Sequence, residues 1–171
     1  MKMYKRLAKP ISYAKIKRKR SNVAFIVIHY TGNKFDTAKN NVDYFATKNE
    51  RTAGAHFFVD SDGNIARSIP MNRTAWAVGG FYTRDDGSAR FYNVCNNYNS
   101  VSIELCNAVS GYTTEQAKAV KKLIKYIRRY CPNAKKVIRH WDVNGKNCPK
   151  PMCGSNNKKW NKFLKDIGEE Q

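Results

Sequence analysis

The chain has 171 residues and carries 32 Lys plus Arg against 13 Asp plus Glu, a formal charge of +19. That length suits one domain of the usual size, and a second full domain would leave both undersized. The 42% of hydrophobic residues, with 8 Phe, 10 Tyr and 3 Trp, excludes wholesale disorder, and the longest apolar run, Val23 to Ile28, is far short of the roughly 20 residues that span a bilayer.

Residues 1–21 read as a basic N-terminal arm. Met1 to Arg20 contains nine Lys or Arg and no acidic residue. It has the charge of a signal peptide without the apolar middle segment, so a protein acting outside the cytoplasm would need another route of release. A solubilising tail and a polyanion-binding element fit the Lys15 to Arg20 cluster equally well. Residues 22–171 read as the folded body. Val23 to Tyr30 predicts a buried strand, stopped by Thr31-Gly32, with His29 at its C-terminal end. Asp36 to Lys48 predicts a helix capped by Asp36 or Thr37. Ala55 to Asp60 and Ile65 to Ile69, joined by Ser61-Asp-Gly-Asn64, predict a hairpin.

Residues 71–99 show no clear period and read as a long surface excursion bearing Trp76, Tyr82, Phe91 and Tyr92, which suit either a groove wall or anchors for the loop. In the strand Val101 to Cys106, Val101, Ile103 and Leu105 share one face and Ser102, Glu104 and Cys106 the other, so Glu104 points away from the apolar side. Thr113-Thr-Glu-Gln116 has the form of a capping box before an amphipathic helix that ends near Tyr130. Val137-Ile138 leads into Arg139-His-Trp-Asp142 and a Gly/Asn/Pro-rich loop through Gly154. Ser155 is expected to cap a last helix packed through Trp160, Phe163, Leu164 and Ile167. Strands alternating with helices predict an α/β domain.

The five cysteines, Cys95, Cys106, Cys131, Cys148 and Cys153, are odd in number and irregularly spaced, unlike a disulfide framework, and no C-x-x-C pair points to a zinc ribbon. Whether Cys95 and Cys106 pair is open at this level. The body as well as the arm is basic. A field of this sign attracts polyanions, which include nucleic acid, anionic lipid and the acidic polymers of a bacterial wall, and charge alone does not choose among them.

Two of the three histidines, His29 and His140, lie at strand ends, and Cys148 follows eight residues after His140. Two imidazoles and a thiolate fill three of the four positions of a tetrahedral zinc and leave one open for water or substrate. The same residues are also compatible with two core-edge histidines and an unrelated buried cysteine. Glu104 could act as a general base toward zinc-bound water, and Lys146 could stabilise an oxyanion. A solvent-facing carboxylate and an exposed loop lysine are the plainer readings.

The segments Ile26-Val-Ile-His-Tyr-Thr-Gly32, Ala55-His-Phe-Phe-Val-Asp60, Asn99-Ser-Val-Ser-Ile-Glu-Leu-Cys106, Arg139-His-Trp-Asp142 and Lys146-Asn-Cys-Pro149 occur in an order that resembles the type-2 zinc-dependent N-acetylmuramoyl-L-alanine amidases. That family includes phage endolysins, bacterial autolysins and peptidoglycan recognition proteins. The resemblance implies a mixed central β-sheet flanked by helices, Zn2+ held by His29, His140 and Cys148, and catalytic roles for Glu104 and Lys146. It implies peptidoglycan as the partner and the muramoyl–L-alanine amide as the bond cut. Some members have a tyrosine where Ala55 stands, and many have Trp-His where Trp76-Ala77 stands. His56 and Trp76 are the expected substrate contacts, although His56 equally suits a structural hydrogen bond.

No separate wall-binding module fits after the matching region, so the basic surface is expected to supply affinity for anionic wall polymers or lipids. The expected setting is a phage or prophage endolysin made in the host cytoplasm and released to the wall through a holin. A peptidoglycan-binding module without activity and a basic nucleic-acid-binding protein are the alternatives. The second has no recognised motif in its favour.

Overall fold

β2 (Phe25–Tyr30) lies at the heart of the sheet because both of its faces are apolar: Ile26 and Ile28 point to one side, Phe25 and Val27 to the other, and all four are buried. It pairs in parallel with β5 (Ser100–Leu105) and with β6 (Lys136–Arg139). Beyond β5 come β3 (Phe57–Val59), in parallel, and its antiparallel hairpin partner β4 (Ile65–Arg67), with β1 (Tyr4–Lys5) at the edge. The order β1-β4-β3-β5-β2-β6 makes a six-stranded mixed sheet, as the resemblance implied. The computed structural model describes residues 1–80 and 87–169, so Tyr82 lies outside the described residues. No helix among them is long and apolar enough to cross a membrane.

The main core fills the face carrying Ile26, Ile28, Val101, Ile103 and Leu105, which is covered by α2 (Thr114–Tyr130) and α4 (Lys158–Ile167). Trp160, Phe163, Leu164 and Ile167 all turn inward, as their spacing predicts. The opposite face is covered by α1 (Ala38–Thr47), through Ala38 and Val42, and by the 71–99 excursion, where Val78 and Cys95 pack on Phe25 and Val27. Phe91 meets Phe25 edge to face at 5.7 Å, so it anchors this loop to the sheet. Cys95 and Cys106 are both free thiols, which settles the question of their pairing.

Two caps differ from expectation. The Thr113 side chain accepts from the Gln116 N–H, but Gln116 does not reach back to close the box. Its amide instead donates to the Val59 and Cys106 carbonyls at 2.8 and 2.9 Å, tying the ends of β3 and β5 to α2, while the Val59 carbonyl also accepts from the Cys106 N–H. Ser155 does not cap α4. The residue before the helix is Asn157, in left-handed conformation, and the Lys158 N–H is taken by Asn156 Oδ1 at 3.1 Å.

The first 21 residues do not stand apart as an arm. Beyond β1, the segment follows the 67–75 strand extension: Ala8 and Ala14 donate to the Ser68 and Thr74 carbonyls, Tyr13 forms a bridge with Ala75, and Arg18 donates to the Asn72 carbonyl. Ala8, Ser12 and Tyr13 are buried. The basic side chains hide this in the sequence, because the small and aromatic residues between them form no period, and it is backbone pairing that holds the segment.

Candidate metal centre

Three buried side chains from separate parts of the chain converge at the C-terminal ends of the parallel strands. β2 pairs with β6 so that Ile28 lies opposite Arg139, and the next residue on each chain is a histidine. His29 remains in β2, whereas His140 begins the short helix α3 (His140–Asn144) and does not end a strand. Gly145, at φ 81°, terminates α3 and turns the chain toward Cys148. The ligand atoms of His29, His140 and Cys148 all lie within 4.8 Å of one another. The two imidazole rings are 4.6 Å apart, and Cys148 Sγ is 3.8 Å from His29 Nδ1.

The loop is held in place by a buried ion pair. The Arg139 backbone N–H and Nε donate to Asp142 Oδ2 at 2.8 and 3.0 Å, and Nη2 donates to Oδ1 at 2.8 Å. Nη1 reaches past them to the Met152 carbonyl at 2.7 Å, while the guanidinium lies against the Trp141 and Trp160 rings. With Arg139 0% exposed, the bidentate geometry is what makes this burial tolerable, and removing either partner would strand a charge. The pair fixes α3 and the chain beyond Cys148 together. The Cys148 carbonyl accepts from the Trp141 N–H at 2.9 Å.

The residues fit a metal ion. Nε2 of His29 and both ring nitrogens of His140 are buried with no hydrogen-bond partner among the described residues. Buried polar atoms are ordinarily paired, and a coordinated cation would satisfy these. Burial pushes His140 down to about 3, with Lys146 adding to the effect. Burial also holds His29 well below its ordinary value, with repulsion from His140 next. Both rings are therefore neutral, the form that ligates metals. Burial raises the Cys148 thiol, a direction that a bound cation reverses. Two nitrogens and a sulfur suit a borderline or soft ion and not calcium or magnesium.

Glu104 lies opposite His29 in the β2–β5 register, on the same face of the sheet. Its Oε2 is buried without a partner, and burial raises the carboxyl to about 7, opposed by Lys146 and reinforced by Asp36. Lys146 is exposed, and its charge reaches Glu104, His29 and His140. All five residues expected to carry chemistry therefore gather at one place. Asp36 was read from the sequence only as a possible cap of α1, a part that Thr37 takes. It lies before α1, where its carboxylate holds the Asn41 amide and the Asn107 N–H, and nothing in the local pattern points to Glu104.

His56 is not a groove residue. It is 1% exposed; Nδ1 accepts from the Ser102 N–H at 3.1 Å, and Nε2 donates to the Arg73 carbonyl at 3.0 Å. Arg18 Nη2 also lies 3.1 Å from Nε2, and its guanidinium donates to the Met71, Asn97 and Tyr98 carbonyls. This replaces a substrate contact with a structural one, and it gives Arg18 a part that its place in a lysine-rich run concealed. Trp76 is half-buried, with its ring 6.2 Å from Tyr98. Asn144 draws the same loop toward the site by donating to the Gly79 and Gly80 carbonyls at 3.0 and 3.2 Å.

Comparison with known proteins agrees with this geometry. The chain is 29% identical to the N-acetylmuramoyl-L-alanine amidase CwlL of Bacillus licheniformis over 88% of its own length and 42% of that protein. It is 32% identical to CwlA of Bacillus subtilis (strain 168) over 73% of its length and 42% of that protein. It thus spans less than half the length of these curated relatives. Among solved structures, PlyL superposes with a TM-score of 0.75 at 25% identity, covering 99% of this chain and 98% of that one. The PlyG catalytic domain superposes with a TM-score of 0.74 at 25% identity, covering 98% and 94%. Residues 19–151 match the sequence pattern of the second amidase family, described as N-acetylmuramoyl-L-alanine amidase. With that match over most of its length, the chain belongs to the N-acetylmuramoyl-L-alanine amidase family.

Proposed function

We propose that the protein is a zinc-dependent peptidoglycan amidase that cleaves the amide between the lactyl group of N-acetylmuramic acid and L-alanine. The observation that carries this reading is the convergence of His29, His140 and Cys148, with three imidazole nitrogens buried and unpartnered. Zinc held by these residues would supply Lewis acidity, polarising the scissile carbonyl and making water a stronger acid. Glu104, beside His29, accepts the proton of the attacking water and returns one to the departing alanine amine. Lys146 offsets negative charge that grows on the carbonyl oxygen. The buried Arg139–Asp142 pair keeps His140 and the Cys148 loop in fixed relation.

The basic surface supports attraction to anionic wall polymers or lipids. Binding through it would weaken as salt is added, because exposed charges are screened within about 8 Å at physiological ionic strength. The same reading extends to the setting of a phage or prophage endolysin, made in the host cytoplasm and released to the wall through a holin. The test is digestion of purified Gram-positive peptidoglycan with and without a chelator, scored for new alanine amino termini and new reducing sugar ends. New amino termini that vanish on chelation and return with zinc are expected. Wall binding with release of neither product would replace this reading with a recognition module.

A further inference from the structure

A second feature opens beside the metal centre. A cavity of about 690 Å³ is lined on one side by Tyr30 and Ser110 and on the other by Lys150, Asn157, Lys158 and Lys159, and no acidic residue is among the described residues lining it. Tyr30 directly follows His29, and its amide supports the Cys148 sulfur. Lys150 lies two residues beyond Cys148, so the cavity and the metal centre share a wall.

The charge of this cavity is not balanced locally. Lys150, Lys158 and Lys159 are exposed and make no ion pair with any described carboxylate, whereas Lys162, one turn on, is paired with Asp166 at 2.6 Å. Lys158 and Lys159 also open α4, whose first turn contains no acidic residue. The N-terminal end of a helix is its positive end, so two cations there are unfavourable unless an anion accompanies them. A ligand that answers this brings an anionic group for the lysines, and the wall shared with the metal centre puts that group within the reach of a peptide attached to the scissile amide.

We propose that this cavity is a specificity subsite that takes a free carboxylate of the stem peptide attached to the scissile amide, through Lys150, Lys158 and Lys159. The proposal rests on the amidase reading above and extends it: the enzyme prefers muramoyl-peptides whose carboxylates are free over the same peptides with those groups amidated.

The experiment compares kcat/KM for two soluble muramoyl-peptides, one with free carboxylates and one amidated, using the full chain, the K158Q/K159Q variant and, as a charge-matched control, K122Q/K125Q on α2. The wild type and the control should prefer the free acid by about tenfold at low salt, the range that two or three solvent-screened charge pairs supply. In K158Q/K159Q the ratio should fall close to one, with the change residing in KM. Titration calorimetry of Glu104→Gln with the uncut peptides should show the same preference in affinity, and adding K158Q/K159Q to it should abolish that preference. An equal ratio in wild type and K158Q/K159Q overturns the subsite while leaving the amidase reading intact. Cleavage of neither peptide overturns the amidase reading, and calorimetry then decides the subsite alone. Loss of binding to phosphate-rich wall polymers in K158Q/K159Q, with the peptide ratio unchanged, assigns the lysines to phosphate and overturns the carboxylate proposal.

Discussion

All three histidines of this protein are buried to within 2% exposure, yet they belong to two different kinds of place. Around His56 every ring atom that can form a hydrogen bond does so: Nδ1 with Ser102, Nε2 with the Arg73 carbonyl. At the C-terminal side of the sheet, His29 in β2 and His140 at the start of α3 leave three ring nitrogens without partners among the described residues, and Cys148 lies close enough to share an ion with them. Burial alone therefore does not separate a structural histidine from a ligand. What separates them is whether the protein satisfies the ring by itself, because an unsatisfied buried nitrogen costs roughly 1–3 kcal/mol and persists where something else completes it.

The largest expected effect breaks the unsatisfied group. Cys148→Ser removes the only sulfur donor, and activity should fall to that of the chelated wild type. Metal content measured by plasma mass spectrometry on the purified protein should fall in parallel. Full zinc occupancy in that variant would remove Cys148 from the ligand set. Next comes Glu104→Gln, which keeps the shape of the site but not the proton acceptor. Turnover should drop by about 10² to 10⁴-fold with zinc retained, the usual share of a general acid–base group. Unchanged turnover would exclude Glu104 from proton transfer.

The sequence displays these two places unequally. Strand periodicity puts Glu104 on the polar side of β5, but the spacing of His29, His140 and Cys148 fitted unrelated core residues as well, and it was the order of the motifs around them that pointed to one site. The fold was legible wherever apolar residues repeat: β2, α2 and the inward face of α4 all lie where the pattern puts them. The His56 network was not legible. It is assembled from Arg18, Met71, Arg73, Asn97, Tyr98 and Ser102, whose backbone carbonyls and amides carry no signature of their own. Arg18 also sits in a run of exposed cations, from which only its three-dimensional partners distinguish it. Likewise, Gln116 reads as half of a capping box until its amide is seen to donate to the Val59 and Cys106 carbonyls.

The difference between Arg18 and its neighbours gives the third prediction. Arg18→Met should destabilise the fold by about 2 to 3 kcal/mol, since it leaves three carbonyls short of a charged donor. Lys17→Met, removing an exposed charge one residue away, should change stability by less than about 0.5 kcal/mol. Urea denaturation of both variants checks the pair. Equal effects would mean that the basic segment acts through net charge and not through the Arg18 contacts.

The smallest effect sharpens the comparison through pH. Burial, followed by the Arg18 charge, lowers His56 to about 3, while the Arg73 carbonyl opposes the shift. A proton on Nδ1 would displace the bond from the Ser102 N–H, leave Ser102 Oγ, 3.0 Å away, as its acceptor, and place a positive ring beside the Arg18 guanidinium. The unfolded chain takes up that proton near pH 6.5, and the folded protein does not until far lower. The contribution of His56 is therefore complete above about pH 6.5 and is lost as pH falls from there toward 3. Between pH 8 and pH 5.5 the loss from this one group is about 1.4 kcal/mol. Because His29 and His140 shift in the same direction, the clean readout is a difference: the zinc-loaded wild type should lose about that much more stability over this interval than zinc-loaded His56→Gln, whose side chain does not titrate. Parallel pH profiles for the two proteins would show that His56 takes up its proton in the fold at the same pH as in the unfolded chain, and would overturn the neutral hydrogen-bonded network that distinguishes it from the metal-site pair.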